Sequence, residues 1–160
     1  MEKMDVVNGN SKQVVVFKLK EEEFGIDINN VREVLKMLPV TSLPHSDHSI
    51  EGVINIRGSI IPVVNLCRRL DLPELSLTDD TRIIVVEIED EPMGLIVDRV
   101  TEVLNLSIND IQQASSGVMG VNTSFLDGVA NLENRLVLLL GVGNLLSSND
   151  SELMAAAVNA

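Results

Sequence analysis

The chain repeats itself. Offset by 69 residues, VFKLKEEEFGIDINNVREVL (16–35) falls on VVEIEDEPMGLIVDRVTEVL (85–104), and offset by 76, IEGVINIRGSIIPVVNL (50–66) falls on LDGVANLENRLVLLLGV (126–142). In the first block Gly25 meets Gly94, Val31 meets Val100, Glu33 meets Glu102 and Val34-Leu35 meets Val103-Leu104. In the second, Gly52 meets Gly128, Val53 meets Val129 and Asn55 meets Asn131. Both blocks come in the same order, and a longer middle segment around 105–124 absorbs the change of offset. A pattern repeated in order specifies the same local structure twice. The chain is therefore expected to fold as one region, 13–146, made of two similar subdomains, about 13–71 and 80–146. The ends, 1–12 and 147–160, read as a flexible amino terminus and a flexible or weakly helical tail.

The repeated unit is rich in strands. Val (22) and Ile (13) far outnumber aromatic residues, at 2% of the 160 positions, and β-branched side chains favour the extended backbone. Strand-like runs lie at 13–20, 23–28, 50–57, 59–65, 82–89, 93–98, 125–132 and 135–140. Two short helical patches follow apolar strands, Asn65–Leu70 and Val142–Leu146. Many short strands between glycine and acidic turns point to barrels or a sandwich.

Charge narrows the function. The net charge is -12 and the isoelectric point about 4.4. Nucleic-acid binding needs a basic surface, and stacking needs aromatic rings; this chain has no Trp, no Tyr and three Phe. An anionic membrane would repel it. Cys67 is the only cysteine, so no internal disulfide can form, and its apolar surroundings mark it as a packed thiol. The start, MEKMDVVNGNSK, has no apolar core of a signal peptide, and no apolar run approaches about 18–20 residues. A cytoplasmic protein is expected.

Catalytic constellations are lacking. His45 and His48 stand in a turn-like LPHSDHS without a third histidine, poor geometry for a metal. LLLGVGNLL (138–146) lacks the third glycine of a dinucleotide fingerprint and reads as a strand-to-helix turn. The acidic clusters Asp79-Asp80 and Glu21-Glu22-Glu23 read as hairpin turns and solvated faces; the repeat puts Asp90-Glu91 at the place of Glu21-Glu22. No nucleophile stands with a base, so the expectation is no enzyme, no cofactor and no metal. A small β-barrel enzyme or ligand-binding protein is the competing class, and no feature of the sequence favours it.

What stands out is Arg57, a guanidinium within GVINIRGSIIPVVNL (52–66). Its repeat mate is Glu133, so the duplicated scaffold does not demand it. Arg57-Gly58-Ser59 reads as a turn that brings the side chain out of the sheet, with Glu33 as a carboxylate partner able to orient it. Gly52 and Asn55 recur in the second half and read as scaffold, Gly52 through its backbone angle and Asn55 through a hydrogen bond to a turn.

FGIDINNVREVL, VTSLPHSDHSIEGVINIRGSIIPVVNL and MGLIVDRVTEVL together resemble the CheW family of bacterial chemotaxis coupling proteins, over residues 13–146. The resemblance implies a mainly β fold of two SH3-like five-stranded β-barrel subdomains around a shared core, with short helices. It implies a non-catalytic adaptor linking the cytoplasmic tip of methyl-accepting chemoreceptors to the regulatory domain of the histidine kinase CheA. Such a protein would sit in the cytoplasm, at the inner face of the membrane through receptor arrays. The alternative is a coupling protein of a non-swimming chemosensory pathway such as pilus-type motility. Carried over position by position, the family's receptor-binding face falls on Val31, Glu33, Arg57, Gly58, Val100 and Val103, and a kinase-binding contribution on Gly52. Val31 and Val100, as repeat mates, are expected to line one groove where the subdomains meet. Asn65 departs from the aspartate that many relatives carry.

Overall fold

The computed structural model describes residues 11–44, 49–113 and 123–145; His45 and His48 and the segments 1–10 and 146–160 lie outside them. All eight expected strand runs are strands. Strands β1 (Ser11–Leu19) and β2 (Glu22–Asp27) form a hairpin, and β3 (Val31–Lys36) follows a 3-10 turn. A second hairpin, β4 (Ile50–Ile56) and β5 (Ser59–Asn65), runs into the one-turn helix α1 (Leu66–Arg69). The second half repeats this with β6 (Arg82–Ile88), β7 (Glu91–Val97) and β8 (Arg99–Ser107). After the short strand β9 (Ile111–Gln112) come β10 (Leu126–Leu132), β11 (Arg135–Leu140) and a 3-10 turn, Val142–Leu145. The offset of 76 carries β4 onto β10 residue for residue, and α1 onto the final 3-10 turn. Asn65 starts α1: its buried side chain accepts from the Arg68 N–H at 3.2 Å.

Besides the two-residue β9, two strands, β3 and β8, fall outside the expected runs. They are repeat mates, and both run along sheet edges with half or more of their side chains in solvent.

The sheets do not follow the repeat. One has the order β9-β10-β11-β2-β1-β8, the other β3-β6-β7-β5-β4. The expected subdomains, 13–71 and 80–146, are corrected accordingly: each barrel takes its first hairpin from the opposite half. Strand β1 pairs antiparallel with β8 (Val14↔Leu104) and β2 parallel with β11 (Leu139↔Gly25). In mirror fashion β6 pairs with β3 (Val34↔Ile84) and β7 parallel with β5 (Val63↔Gly94). The two parallel registers are related by the repeat itself, since the offset of 76 carries Val63 onto Leu139 and the offset of 69 carries Gly25 onto Gly94. Close approach explains why a glycine stands in both. A Cβ on Gly25 would lie 3.2 Å from the side chains of Leu139 and Val137, and one on Gly94 2.9 Å from Ile83.

Each sheet closes on itself. Thr41, beyond β3, bridges to Val53 of β4, and β9, beyond β8, pairs with β10 (Gln112↔Val129). Counting each edge strand and its continuation as one gives the two expected five-stranded SH3-like barrels. Barrel interiors are filled by Val14, Val16, Leu106, Val137 and Leu139 in one and by Ile54, Ile61, Val63, Ile83 and Ile96 in the other. A third, larger core joins them, with Phe17 stacked on Phe24 at 5.9 Å among Leu66, Cys67, Leu95 and Leu138. The inner strands are thus covered on both faces, which is why VVVF (14–17) and IIVV (83–86) are apolar without alternation.

Candidate functional site

The β4–β5 hairpin turns through two residues, Arg57 and Gly58, both with positive φ (50° and 89°). Two such residues make a type I′ turn, whose twist matches the strands it joins. Glycine occupies the second position freely, whereas an arginine in the left-handed region costs about 1–2 kcal/mol. The turn is held by Asn55, whose Oδ1 accepts from the Gly58 N–H at 2.9 Å, the hydrogen bond expected of that residue. The side chain of Arg57 therefore leaves the sheet as anticipated and is 72% exposed.

Glu33 reaches it from β3. Arg57 Nη2 donates to Glu33 Oε2 at 2.6 Å, with the carboxylate three-quarters covered. Leu35 and Met37, two and four residues along the same strand face, pack on the interior of that barrel, so Glu33 stands at the barrel's end with the guanidinium over it. The pair leaves the remaining Arg57 donors in solvent and fixes their direction.

The same device occurs at the other barrel with different chemistry. Glu102, the mate of Glu33, accepts from Arg135 at 2.8 Å, and Glu23 accepts from the same guanidinium at 2.5 Å. Hydrogen bonds to Glu102 and then to Glu23 raise the Arg135 pKa further above its ordinary value. Sequence reasoning missed Arg135, since its mate is Ser59, not Arg57. The recurrence of the glutamate was the available signal: a scaffold carboxylate at each barrel end needs a cation. One arginine is enclosed by two carboxylates, the other offered outward by one.

Of the apolar residues expected on the receptor face, Val31 and Val100 are half-buried and each packs against the core shared by the two barrels. Val103 is 51% exposed on β8, and its mate Val34 is 41% exposed on β3. Glu33, Arg57 and Gly58 form one cluster with Val31 two residues away on β3. Gly52 lies apart from it. It is buried at a bulge in β4, with φ 149°, where a Cβ would lie 2.0 Å from the carbonyl oxygen of Thr41. Its mate Gly128 sits at the corresponding bulge in β10 against Gln112. Both glycines admit the strand that closes the barrel.

Cys67 is fully buried, and its thiol is pushed up to about 11 by burial, reinforced by the charge of Asp98. Among the described residues no group of His, Cys, Asp or Glu is placed to hold a metal, and no helix is long and apolar enough to cross a membrane.

The model of the CheW-like domain matches residues 13–150. The chain belongs to the CheW family. Among curated CheW relatives, the chemotaxis protein CheW of Treponema pallidum is 31% identical, over 93% of this chain and 90% of its own length. That of Bacillus subtilis is 32% identical over 88% and 90%. In three dimensions the chain is similar to the scaffolding protein TtCheW from Thermoanaerobacter tengcongensis, with a TM-score of 0.82 and 36% identity, covering 93% of this chain and 96% of that one. A chemotaxis adaptor of the CheW scaffold type is therefore the role that the fold and the relatives support.

Proposed function

We propose that the chain is a non-catalytic adaptor coupling methyl-accepting chemoreceptors to the histidine kinase CheA, working in the cytoplasm at the inner face of the membrane. The observation that carries this reading is Arg57: a cation kept in a strained backbone position, aimed outward by Glu33, and absent from the second repeat. Strain at an exposed residue that contributes little to folding points to use elsewhere. The receptor segment is an amphipathic helix whose apolar face lies on Val31, Val100 and Val103 and whose polar edge meets Arg57 beside Gly58. The kinase contacts a surface shaped by the Gly52 bulge, the buried glycine acting through strand position and not by touch.

Co-sedimentation with receptor-bearing membranes, with and without the kinase, tests this. The protein is expected in the pellet with receptor alone, and the kinase is expected to join the pellet in greater amount when the adaptor is present. Absence of the adaptor from both pellets overturns the reading.

A further inference from the structure

An open cleft of about 360 Å³ lies beside the β1–β2 turn. Three cations line it: Lys18 on β1, Lys20 in the turn and Arg99 at the start of β8. Lys18 stands directly opposite Arg99 across the two strands. Like charges so placed oppose strand pairing. Among the described residues none of the three is paired with a carboxylate, whereas Lys12, Arg32, Arg57, Arg68 and Arg135 each are. In a chain of net charge -12, a knot of unpaired cations runs against the composition.

The backbone fixes their placement. Lys20 is left-handed, with φ 58°, and its N–H donates to the Asp98 carboxylate. The N–H of Asp98 donates in turn to the Lys18 carbonyl oxygen at 3.1 Å. Asp98 thus clamps the turn to the start of β8 and gathers the cations without forming an ion pair with them. Glu21 and Asp80 also line the cleft, at exposed positions, and neither pairs with a cation. The repeat shows that the scaffold does not require this charge. The matching cleft at the other barrel has Glu87, Glu89 and Asn30 where this one has Lys18, Lys20 and Arg99. A cluster that costs stability and occurs in only one copy of a duplicated scaffold points to a use outside folding.

We propose that the cleft docks an acidic segment of a partner protein, whose carboxylates take the donors of Lys18, Lys20 and Arg99. Charge complementarity names the occupant. The net charge of -12 repels an acidic segment from the rest of the surface, so the cleft fixes both where it lands and in which direction it lies. Binding also removes the repulsion between Lys18 and Arg99, which the free chain has to bear.

Titration of the isotope-labelled full chain with a capped hexaglutamate peptide, followed by amide chemical shifts, tests the cleft. Saturable shifts are expected at Lys18, Lys20, Thr78 and Arg99, with affinity that falls as salt is raised. Arg99→Glu puts a carboxylate opposite Lys18, a pair that favours the strands, so this variant folds. Lys36→Glu is the matched control. It changes the net charge equally and faces Arg82 across β3 and β6, outside the cleft. Arg99→Glu is expected to weaken peptide binding by about fivefold or more, and Lys36→Glu by no more than about twofold. Shifts scattered over the surface, or equal weakening by the two variants, overturn the proposal. Inorganic pyrophosphate saturating the same amides at lower concentration than the peptide also overturns it, and assigns the cleft to a phosphoryl ligand.

Discussion

Replacing Arg57 with asparagine separates its structural from its functional worth. Asparagine suits the first position of a type I′ turn, so the change relieves roughly 1 kcal/mol of backbone strain. Against that stands the lost pair with Glu33. With the guanidinium 72% exposed, such a pair contributes about 0.2–1 kcal/mol. The two terms nearly cancel, leaving stability within about 1 kcal/mol of the parent, a shift in Tm of no more than about 4 °C for a chain of this size. Binding behaves otherwise, because a charge-assisted hydrogen bond to a partner is worth about 1.5–3 kcal/mol, or about 10–150-fold in affinity. Thermal unfolding followed by circular dichroism and a receptor-membrane binding isotherm read the two quantities. Arg57→Asn is expected to fold normally and to bind at least tenfold more weakly. A drop in Tm well beyond about 4 °C would make the residue a structural clamp on the barrel end. Unchanged affinity in a normally folded variant would remove Arg57 from the receptor face.

Gly52→Ala and Gly58→Ala should differ sharply, although both glycines have positive φ. At Gly52 the added carbon meets the Thr41 carbonyl oxygen at 2.0 Å and breaks the bridge that closes the barrel, a loss of more than about 4 kcal/mol in urea titration. At Gly58 nothing lies within 4 Å, and only backbone strain remains, about 1 kcal/mol; equal losses would contradict the bulge reading. Cys67 sets an alkaline limit. Its pKa is raised from the ordinary 9.0 to about 11 in the folded chain, so the unfolded chain ionises first. The stability owed to the neutral thiol is intact below pH 9 and falls as pH rises from about 9 to about 11, by roughly 2–3 kcal/mol. Unfolding titrations at pH 8 and pH 11 check this: Cys67→Ala should lose less stability over that interval than the parent, and a parallel decline in both would refute it.

Much of the candidate site was legible because it departs from the repeat. Arg57 differs from Glu133, Arg57-Gly58 is a local turn signal, and Glu33 could be proposed as its partner from chemistry alone. The opposite barrel end was not legible. Arg135 reaches Glu102 and Glu23 from positions 33 and 112 residues away in sequence, and no local pattern encodes that meeting. Strands β3 and β8 went unseen for a related reason. Val31, Val34, Leu35 and Leu38 are spaced as on one face of a helix, and so are Val100, Val103 and Leu104; pairing with β6 and β1 at the sheet edges overrides that spacing.

The repeat in the sequence determined that the strands of the first half would recur in the second, in the same order and with glycines at the same places. Alternation, turn residues and β-branching act within a few residues, and these are what a sequence pattern records. Which hairpin completes which barrel was decided only in three dimensions. The Gly25 and Gly94 hairpins each pair with strands of the opposite half. The exchange puts Phe17, Phe24, Met93 and Leu95 into the core between the barrels, where one continuous apolar interior holds the halves together.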